Sequence, residues 1–368
     1  MKKILRSIAL LITWLSAISL AVISLSVYIN PAHLYLFAFM GYIFPVAWGL
    51  NAVIFIYWAL RRKKYIIIPL IVLLLGWSQW QNSFQWRGRT IDDISALKNP
   101  VKVMSFNVKM FDRYNWSGRK DIVDKTFEYI RKENPDIVCF QEFYATNNNH
   151  KIPESYIVNR LKQYSYRHIE YKYSKYTIGS SGMAIFSKYP IKDKKVIRFE
   201  NTTNFTIQTD IDINGKTIRI FNNHLESIRF NDKDLETIGN VKNVEALEKD
   251  KDLKVVIDKL VKAFKKRAHQ ADIMNNHISN SPYPVIVCGD FNDIPVSYAY
   301  RKMRGDLKDA FVEAGKGFGG TYNGKLPSFR IDYILFDPSF EAYNFKREFI
   351  DLSDHYPIMT IIDIGAKN

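Results

Sequence analysis

The sequence predicts an α/β fold in which two mixed β-sheets pack face to face with helices outside them, preceded by a segment of apolar helices. After residue 100, short apolar runs of strand length alternate with stretches of helical periodicity. Asn214-Gly215 joins two such runs and is a strong signal for a two-residue hairpin. Hairpins interspersed with helices favour two packed sheets covered by helices. Residues 1–81 are strongly apolar and contain no Asp or Glu.

The N-terminal 81 residues are predicted to form a membrane anchor with three transmembrane helices, at about 4–29, 34–60 and 65–81. The first two segments exceed the ~20 residues that cross a bilayer core, and the third is shorter. A cleavable signal peptide is the alternative for the first segment, but its apolar run is too long and further apolar segments follow. Because the spans carry no ionisable residue near their centres, they favour an anchor over a transport path.

Positively charged residues predict the orientation of this anchor. Residues 1–6 and 61–64 carry the Lys and Arg side chains that are typical of cytoplasmic ends, whereas the loop at 30–33 carries none. Three spans then place the rest of the chain outside the cytoplasm, as part of a multi-pass protein of the cytoplasmic (inner) membrane. Arg87 and Arg89 favour the opposite orientation, and a third segment that does not span leaves the large domain in the cytoplasm.

Composition excludes several classes of protein. The chain has 368 residues, of which 47% are hydrophobic and 24% charged, so it is not a disordered chain. Its two cysteines, Cys139 and Cys288, are too few for a disulfide scaffold or a four-cysteine zinc site. Both lie in apolar runs and are expected to be free buried thiols, with a mutual disulfide as the alternative. The net charge of +15 suits an anionic substrate or a membrane surface, and a solubilising surface explains it equally well.

Residues 82–100 lack sustained periodicity and are predicted to be a linker to a catalytic domain over 101–368. Helical spacing of apolar residues predicts helices at 119–134 and 255–278. The charge-rich residues 231–252 are expected to form a surface excursion. Strands are predicted at 101–108, 136–140, 182–186, 205–213, 217–222, 285–288, 331–336 and 359–364.

Several predicted strands end in polar residues that can bind a metal ion or transfer a proton. Because a strand presents its last side chain at one edge of the sheet, where sites form, these residues are expected to converge on one cleft. They are Asn107, Glu142, His224, Asp290, Asn292, Asp332, Asp354 and His355.

Such a cleft predicts a hard divalent cation. Carboxylate and amide oxygens without thiolates select Mg²⁺ or Mn²⁺, and zinc held by two histidines and an acid is the competing interpretation, although no HExxH helix is present. A hard cation beside a histidine base is suited to phosphoester hydrolysis, because the metal neutralises phosphate charge while the base activates water for in-line attack.

Six short motifs carry a resemblance to a known family. In order, SFNV, QE, NNHLES, GDFND, RIDYI and SDHYPI resemble the endonuclease/exonuclease/phosphatase superfamily, which has the deoxyribonuclease I-like fold. The resemblance covers residues 101–365 and implies a four-layer α/β sandwich, Mg²⁺ dependence and cleavage of phosphoester bonds.

The resemblance also implies roles for individual residues. Glu142 is implied as the principal metal ligand, helped by Asn107. His355 is implied as the general base that activates water, oriented by Asp332. Asp354 is implied to contact the metal or to support the site.

Further implied residues act on the substrate. Asp290 and Asn292 are implied to position the nucleophile and the scissile phosphate, and His224 to bind phosphate or assist the leaving group. Arg267, on the long predicted helix, resembles a substrate-binding position that faces the cleft, with a solvated helical face as the alternative. Asp293 is expected to be a turn or cap residue.

Three other histidines are expected to carry no chemistry: His168, His269 and His277 are expected to lie at the surface.

One departure from the family pattern argues against DNA repair. Lys109 stands where the abasic-site branch has an acid, and His224 resembles the deoxyribonuclease I, sphingomyelinase and inositol-phosphatase branches. The leading hypothesis is a membrane-anchored, Mg²⁺-dependent phosphodiesterase or phosphatase, acting on a lipid head group or a small phosphoester, with no obligate protein partner evident. The alternatives are an extracytoplasmic nuclease acting on DNA or RNA and, less favoured, a catalytically inactive binding module.

Overall fold

The chain begins with a bundle of helices. The computed structural model describes residues 2–146, 152–172, 179–239 and 251–365. In this part of the chain two helices, α1 (Lys2–Ser24) and α2 (Leu36–Leu60), are long and apolar enough to cross a membrane. The third predicted span is divided by a break at Gly76 into α3 (Ile67–Leu75) and α4 (Trp77–Ser83). It forms no helix of spanning length among the described residues.

Hydrogen-bonding side chains of α1 and α2 lie inside this bundle. Asn51 donates from Nδ2 to Oγ of Ser16 at 2.9 Å, and Trp58 donates from Nε1 to Oγ1 of Thr13 at 2.9 Å. Large apolar side chains lie outside, and Val46 is 75% exposed. This distribution is the reverse of that in a water-soluble bundle.

The remaining chain forms two six-stranded sheets. The first has the order β11-β12-β1-β2-β4-β3 and the second the order β5-β6-β7-β8-β10-β9. Each sheet is mixed, with one parallel pair, β1–β2 or β7–β8, among antiparallel neighbours. The strands are β1 (Pro100–Asn107), β2 (Ile137–Thr146), β3 (Tyr166–Tyr171), β4 (Gly179–Ser187), β5 (Ile191–Arg198), β6 (Phe205–Ile213), β7 (Lys216–His224), β8 (Val285–Asp290), β9 (Lys308–Asp309), β10 (Asp332–Phe336), β11 (Glu341–Arg347) and β12 (Ile358–Asp363).

Helices cover the outer faces of the sheets. Their ranges are α5 (Ile122–Glu133), α6 (Glu154–Arg160), α7 (Asp232–Gly239), α8 (Lys251–Ser279), α9 (Tyr298–Arg304) and α10 (Ala310–Ala314). One buried cluster joins the first sheet to α5 and α6, and another joins the second sheet to α8 and α9. The order of layers is therefore helices, sheet, sheet, helices, which confirms the predicted α/β sandwich.

The inner faces of the two sheets share a third buried cluster. Val103 and Cys139 come from the first sheet, and Ile220 and Cys288 from the second; all four are fully buried. Both cysteines are free thiols, as the sequence favours.

Most predicted elements are present, and the missed strands share one property. The Asn214-Gly215 hairpin is confirmed, with φ values of +53° and +86° at the two turn residues. The unpredicted strands β3, β5, β9 and β11 are the four outermost strands of the two sheets. An edge strand buries less of its surface and needs less apolar alternation, so its sequence signal is weak.

The segment predicted to be a linker lies along the large domain. The amide of Ile91 donates to Oδ1 of Asn344 at 2.8 Å, and the amide of Asn99 donates to Oδ1 of Asp363 at 2.8 Å. Earlier in the same segment, the guanidinium of Arg89 lies 3.3 Å from the carboxylate of Glu341. These bonds hold residues 89–99 against the sheet of β11 and β12.

His168 is buried, so the expectation that it lies at the surface is wrong. It lies on β3, its exposed fraction is 5%, and its Nδ1 is 2.8 Å from Oγ1 of Thr209 on β6 of the opposite sheet. Alternation along the edge strand turns this side chain toward the second sheet. Burial, aided by the charge of Lys194, lowers the pKa of His168 to about 4. His269 and His277 are exposed, as predicted.

The lowered pKa of His168 predicts a loss of stability in acid. The unfolded chain takes up a proton near the ordinary pKa of 6.5, whereas the folded chain resists protonation down to about pH 4. Between these values, stability falls as pH falls, and we expect a loss of about 2 kcal/mol at pH 5 relative to pH 7. Denaturation of the full chain in detergent at both pH values measures it.

His168→Gln removes the titrating group, and His269→Gln is the matched control at an exposed position. We expect His168→Gln to lose about 2 kcal/mol less than the control between pH 7 and pH 5. Equal losses in the two variants would contradict this assignment.

Candidate active site

The predicted site residues meet at one edge shared by the two sheets. β1 ends at Asn107, β7 at His224 and β8 at Asp290. His224 and Asp290 are register partners in the parallel pair β7–β8, and Asp290 is the register partner of Asp332 in the antiparallel pair β8–β10. The strand pairing thus gathers an amide, an imidazole and two carboxylates.

Two of the predicted site residues lie at the beginning of strands and not at the end, contrary to the prediction. Asp332 is the first residue of β10, and His355 precedes the start of β12. β10 runs antiparallel to β8, and β12 runs antiparallel to β1. The beginning of an antiparallel strand lies where its neighbour ends, so both residues still reach the predicted edge.

Glu142 lies within β2 rather than at its end. The register between β2 and β4 shifts between Phe140 and Phe143, and Glu142 has a φ of +49°. A bulge of this kind re-aims a side chain. It leaves Oε1 of Glu142 at 3.8 Å from Nε2 of His224, with 25% of the glutamate side chain exposed.

His355 is held between two carboxylates. Its Nδ1 lies 2.9 Å from Oδ2 of Asp332, and its Nε2 lies 3.7 Å from Oδ2 of Asp290. The amide of Asp332 donates to Oγ1 of Thr321 at 3.1 Å, which fixes the start of β10. The imidazole therefore has one nitrogen oriented by Asp332 and the other directed toward the cleft.

The pKa values of His355 and Asp290 reflect burial and close charges. Burial by itself lowers the pKa of His355, but the carboxylates of Asp332 and Asp290 outweigh it and raise that pKa well above its ordinary value. Burial raises the pKa of Asp290, and the neighbouring charge of Asp332 adds to the rise. Both shifts follow from negative charge confined in a low-dielectric site.

His224 has hydrogen-bonding capacity that the described residues leave unused. The side chain is 2% exposed, and neither ring nitrogen has a hydrogen-bond partner in the described part of the chain. Burial, helped by the positive charge of Lys172, lowers its pKa well below the ordinary value. A neutral imidazole beside two carboxylates is suited to binding a phosphoryl group or a cation.

Asp290 is the centre of the hydrogen-bond network. Its Oδ2 accepts from Nδ2 of Asn107 at 3.0 Å, and its Oδ1 accepts from the amide of Asn292 at 2.8 Å. Nδ2 of Asn292 donates to the carbonyl of Leu225 at 3.1 Å. The network ties the ends of β1, β7 and β8 together.

A glycine before Asp290 is required by close strand approach. Gly289 has a φ of +133°, and a Cβ there would lie 2.0 Å from the carbonyl oxygen of Asn223. A side chain at this position would push β8 away from β7 and displace Asp290.

Asp354 is paired with the lysine that departs from the family pattern. Nζ of Lys109 lies 2.9 Å from Oδ2 of Asp354, and both side chains are partly exposed. Burial raises the pKa of Glu142, and the negative charge of Asp354 adds to that rise. The contact favours a supporting role for Asp354, and its role as a metal ligand stays a prediction.

Arg267 is fully buried, so the alternative of a solvated helical face is wrong. Its Nε donates to Oδ2 of Asp293 at 3.1 Å, and its Nη1 donates to the carbonyl of Glu226 at 3.0 Å. Asp293 is therefore an ion-pair partner as well as a turn residue whose Oδ1 accepts the amide of Ile294 at 3.0 Å. Contact of Arg267 with substrate stays a prediction.

Sequence reasoning missed residues that form the floor of the cleft. Nε2 of Gln141 donates to Oδ1 of Asn222 at 2.6 Å, which links β2 to β7 across the two sheets. Both residues lie within the QE and NNHLES motifs, so their position close to Glu142 and His224 was the available signal. Lys172, whose pKa is lowered by burial, adds a positive charge near Glu142 that no motif indicates.

The edge fits a divalent cation. One ligand atom each from Asp290, Asp332 and His355 lie within 4.8 Å of one another, and all three residues are buried. Together with the unpartnered nitrogens of His224, these donors include no thiolate and suit a hard cation. The expected ligands, which stay a prediction, are Glu142, Asn107 and Asp354. The fold and this site define the class of metal-dependent hydrolases built on an α/β sandwich.

Comparison with known proteins identifies the family. Residues 104–355 match the Endonuclease/Exonuclease/phosphatase family, and the chain belongs to it. Its members are metal-dependent phosphoester hydrolases, and this chain is an enzyme of that type. Residues 3–83 match a domain of unknown function, DUF8431.

The individual proteins that match this chain do so at low sequence identity. A phospholipase C of Staphylococcus aureus is 28% identical over an alignment of 189 residues, and the match covers 45% of this chain and 53% of that protein. A second strain, NCTC 8325 / PS 47, has a phospholipase C with the same identity and coverage. The chain thus spans about half the length of the curated relatives it matches.

Solved structures share the fold. An endonuclease/exonuclease/phosphatase from Beutenbergia cavernae superposes with a TM-score of 0.52 at 17% identity, covering 73% of this chain and 72% of that one. A humanized D. rerio TDP2 has a TM-score of 0.52 at 17% identity, covering 72% and 99%. The human Nocturnin catalytic domain has a TM-score of 0.50 at 18% identity, covering 72% and 95%.

The geometry predicts that Glu142→Ala and His355→Ala each lower turnover by at least about 10²-fold. The first variant removes the expected metal ligand and the second removes the expected general base. Hydrolysis of a soluble phosphodiester by the purified full chain measures the change. The matched controls are Glu128→Ala and His269→Ala, whose side chains are exposed outside the cleft. Both controls should retain the wild-type rate.

The same four variants should keep the wild-type thermal unfolding temperature to within a few degrees, since the two site residues lie at a sheet edge outside the apolar clusters. A wild-type rate in Glu142→Ala or His355→Ala would contradict the assignment of the site.

Proposed function

We propose that this protein is a membrane-anchored, Mg²⁺-dependent phosphodiesterase that hydrolyses a phosphoester bond of membrane lipids and releases their phosphorylated head groups. The observation that carries the proposal is the attachment of a phosphoesterase cleft to a helical bundle with an apolar exterior. The loop that follows the site packs on that bundle: Ile294 and Val296 share a buried cluster with Ala17, Leu20 and Phe44. A cleft held in this way works close to a bilayer surface.

The distribution of side chains in the bundle supports membrane embedding. Leu60, Val46, Ile4 and Val53 are 64–80% exposed, and each lies on α1 or α2. Such a contiguous apolar exterior is costly in water and favourable in lipid. The polar seam between α1 and α2 is correspondingly turned inward, as in membrane helices.

The site residues are proposed to divide the chemistry between them. His355, oriented by Asp332, accepts a proton from the attacking water at Nε2, while Asn292 and His224 hold the phosphoryl oxygens. Glu142 and Asn107 would hold Mg²⁺, or Mn²⁺ in its place. The ion, when bound, neutralises phosphate charge and stabilises the leaving oxygen.

A lipid substrate is favoured over the other phosphoesters of the family. The curated relatives are phospholipases C, although the match covers about half of their length. A fixed position at the bilayer raises the effective concentration of lipid head groups at the cleft. Nucleic acid, the alternative substrate, requires backbone contacts whose affinity falls steeply with salt.

The test is a substrate panel with the full chain purified in detergent and reconstituted into vesicles. The substrates are sphingomyelin-type vesicles, inositol phosphates, plasmid DNA and RNA, each with Mg²⁺, with Mn²⁺ and with EDTA. Glu142→Ala is the catalytic control, and Glu128→Ala is its matched control. We expect release of a phosphorylated head group that requires the cation and is absent in Glu142→Ala.

Each other outcome is distinct. Cutting of DNA or RNA that fades between 50 and 200 mM salt, by about 10³-fold or more, would make the chain an anchored nuclease. If inositol phosphates were the one substrate class hydrolysed, with release of inorganic phosphate, the chain would be a phosphatase that acts on soluble substrates. Binding without turnover of any of them would favour the inactive module.

The proposed anchor predicts which side of the membrane the enzyme faces. We propose that the anchor has three crossings, the third made of the two short helices α3 and α4, so that a reporter fused after residue 368 is active only outside the cytoplasm. A periplasm-active phosphatase and a cytoplasm-active fluorescent protein are the paired reporters. A signal from the cytoplasmic reporter would overturn the three-span orientation.

A further inference from the structure

The loop that carries the catalytic asparagine rests directly on the second helix of the bundle. A Cβ built on Gly41 of α2 would lie 2.1 Å from the carbonyl oxygen of Val296. Val296 is 2% exposed and Ile294 is 6% exposed. Gly41 is therefore the point at which the backbones of α2 and the loop at 291–297 meet.

The same loop is tied to the site at its other end. Asn292 bonds Asp290 through its amide, and the next residue, Asp293, pairs with the buried Arg267 of α8. The loop thus spans from the catalytic carboxylate to α2 in seven residues, Asp290 to Val296. Val296 is four residues from Asn292 in the chain, and the amide of Ile294 between them donates to Oδ1 of Asp293 at 3.0 Å.

A second contact reaches the strand that carries Asp332. The ring of Tyr42 packs edge-on against Phe329 at 5.1 Å between centroids. The carbonyl of Asn82, in α4, accepts from Nη2 of Arg330 at 2.6 Å. Phe329 and Arg330 lie three and two residues before the start of β10, so the bundle contacts the chain both after Asp290 and before Asp332.

We propose that the N-terminal helices position the active site, with Gly41 and Tyr42 as positioning residues that hold Asn292 and Asp332 in place. This inference rests on the proposed hydrolysis and adds to it: the bundle is a structural part of the active centre as well as an anchor. Gly41 permits the close backbone contact, and Tyr42 wedges against the segment that leads to β10.

The fold offers a matched control within the same helix. Gly49 also lies on α2, and a Cβ built there meets nothing within 4 Å. Gly41→Ala and Gly49→Ala both replace glycine by a better helix former, so they differ only in the contact with Val296. Both are compared in the full chain in detergent, on a soluble phosphodiester that needs no membrane.

We expect Gly41→Ala to lower kcat by at least about tenfold with little change in KM, because a shift of ~1 Å in a catalytic group can cost ~10²-fold in rate. Gly49→Ala should match the wild type in both constants. Equal kcat in wild type and Gly41→Ala, or equal losses in the two variants, would overturn the inference.

A second pair of variants guards against a misfolded Gly41→Ala. Tyr42→Leu removes the ring that packs on Phe329 but stays apolar, and Tyr57→Leu is its control at a 40% exposed position of the same helix. Tyr42→Leu should lower kcat selectively, and its thermal unfolding should stay close to that of Tyr57→Leu. A kcat equal to that of Tyr57→Leu would contradict the role of Tyr42.

Amide hydrogen exchange separates this inference from the proposed function. If the wild type hydrolyses none of the substrates, the proposed function fails, and exchange at residues 291–297 still tests the contact. Faster exchange there in Gly41→Ala than in Gly49→Ala supports positioning by the bundle. Identical exchange in the two variants would overturn it, whatever the activity.

Discussion

The register of three neighbouring strands is the constraint on which the site depends. β7, β8 and β10 pair so that His224, Asp290 and Asp332 lie side by side. Because side chains alternate along a strand, a slip of one residue would turn this set to the opposite face. The apolar cluster between the sheets holds the register, since the same slip would expose its Ile and Val side chains. Core packing and catalytic geometry are therefore set by one choice of pairing.

The electrostatics of the cleft follow from that pairing. Burial, with the charge of Asp332, raises the pKa of Asp290. Burial by itself lowers the pKa of His355, but the two close carboxylates outweigh it and raise that pKa, whereas burial lowers the pKa of His224. The site thus presents a neutral imidazole at His224, a more basic imidazole at His355 and several acidic groups, which together suit the binding of a hard cation and a phosphoester. The membership of the family and the geometry of the edge agree on this chemistry.

The helical bundle packs against the domain that carries the active site. Its apolar exterior suits lipid, and its contacts with the loop after Asp290 and with the segment before Asp332 join it to the catalytic edge. An anchor on a flexible tether would leave the cleft free to turn; here residues 89–99 and the loop at 291–297 are both bonded or packed. The helical bundle and the site are thus parts of one packed body.

The sequence by itself determined the α/β sandwich, the central strands and the set of residues in the cleft, because buried strands and motif residues leave strong local patterns. Tertiary structure decided what local patterns do not contain. The edge strands β3, β5, β9 and β11 form by pairing with a neighbour, and their own apolar signal is weak. The bulge at Glu142, the burial of His168 and Arg267, and the seat of Val296 on Gly41 each depend on residues distant in the chain. Contacts of that kind are fixed only when the layers pack, so no spacing in the sequence reveals them.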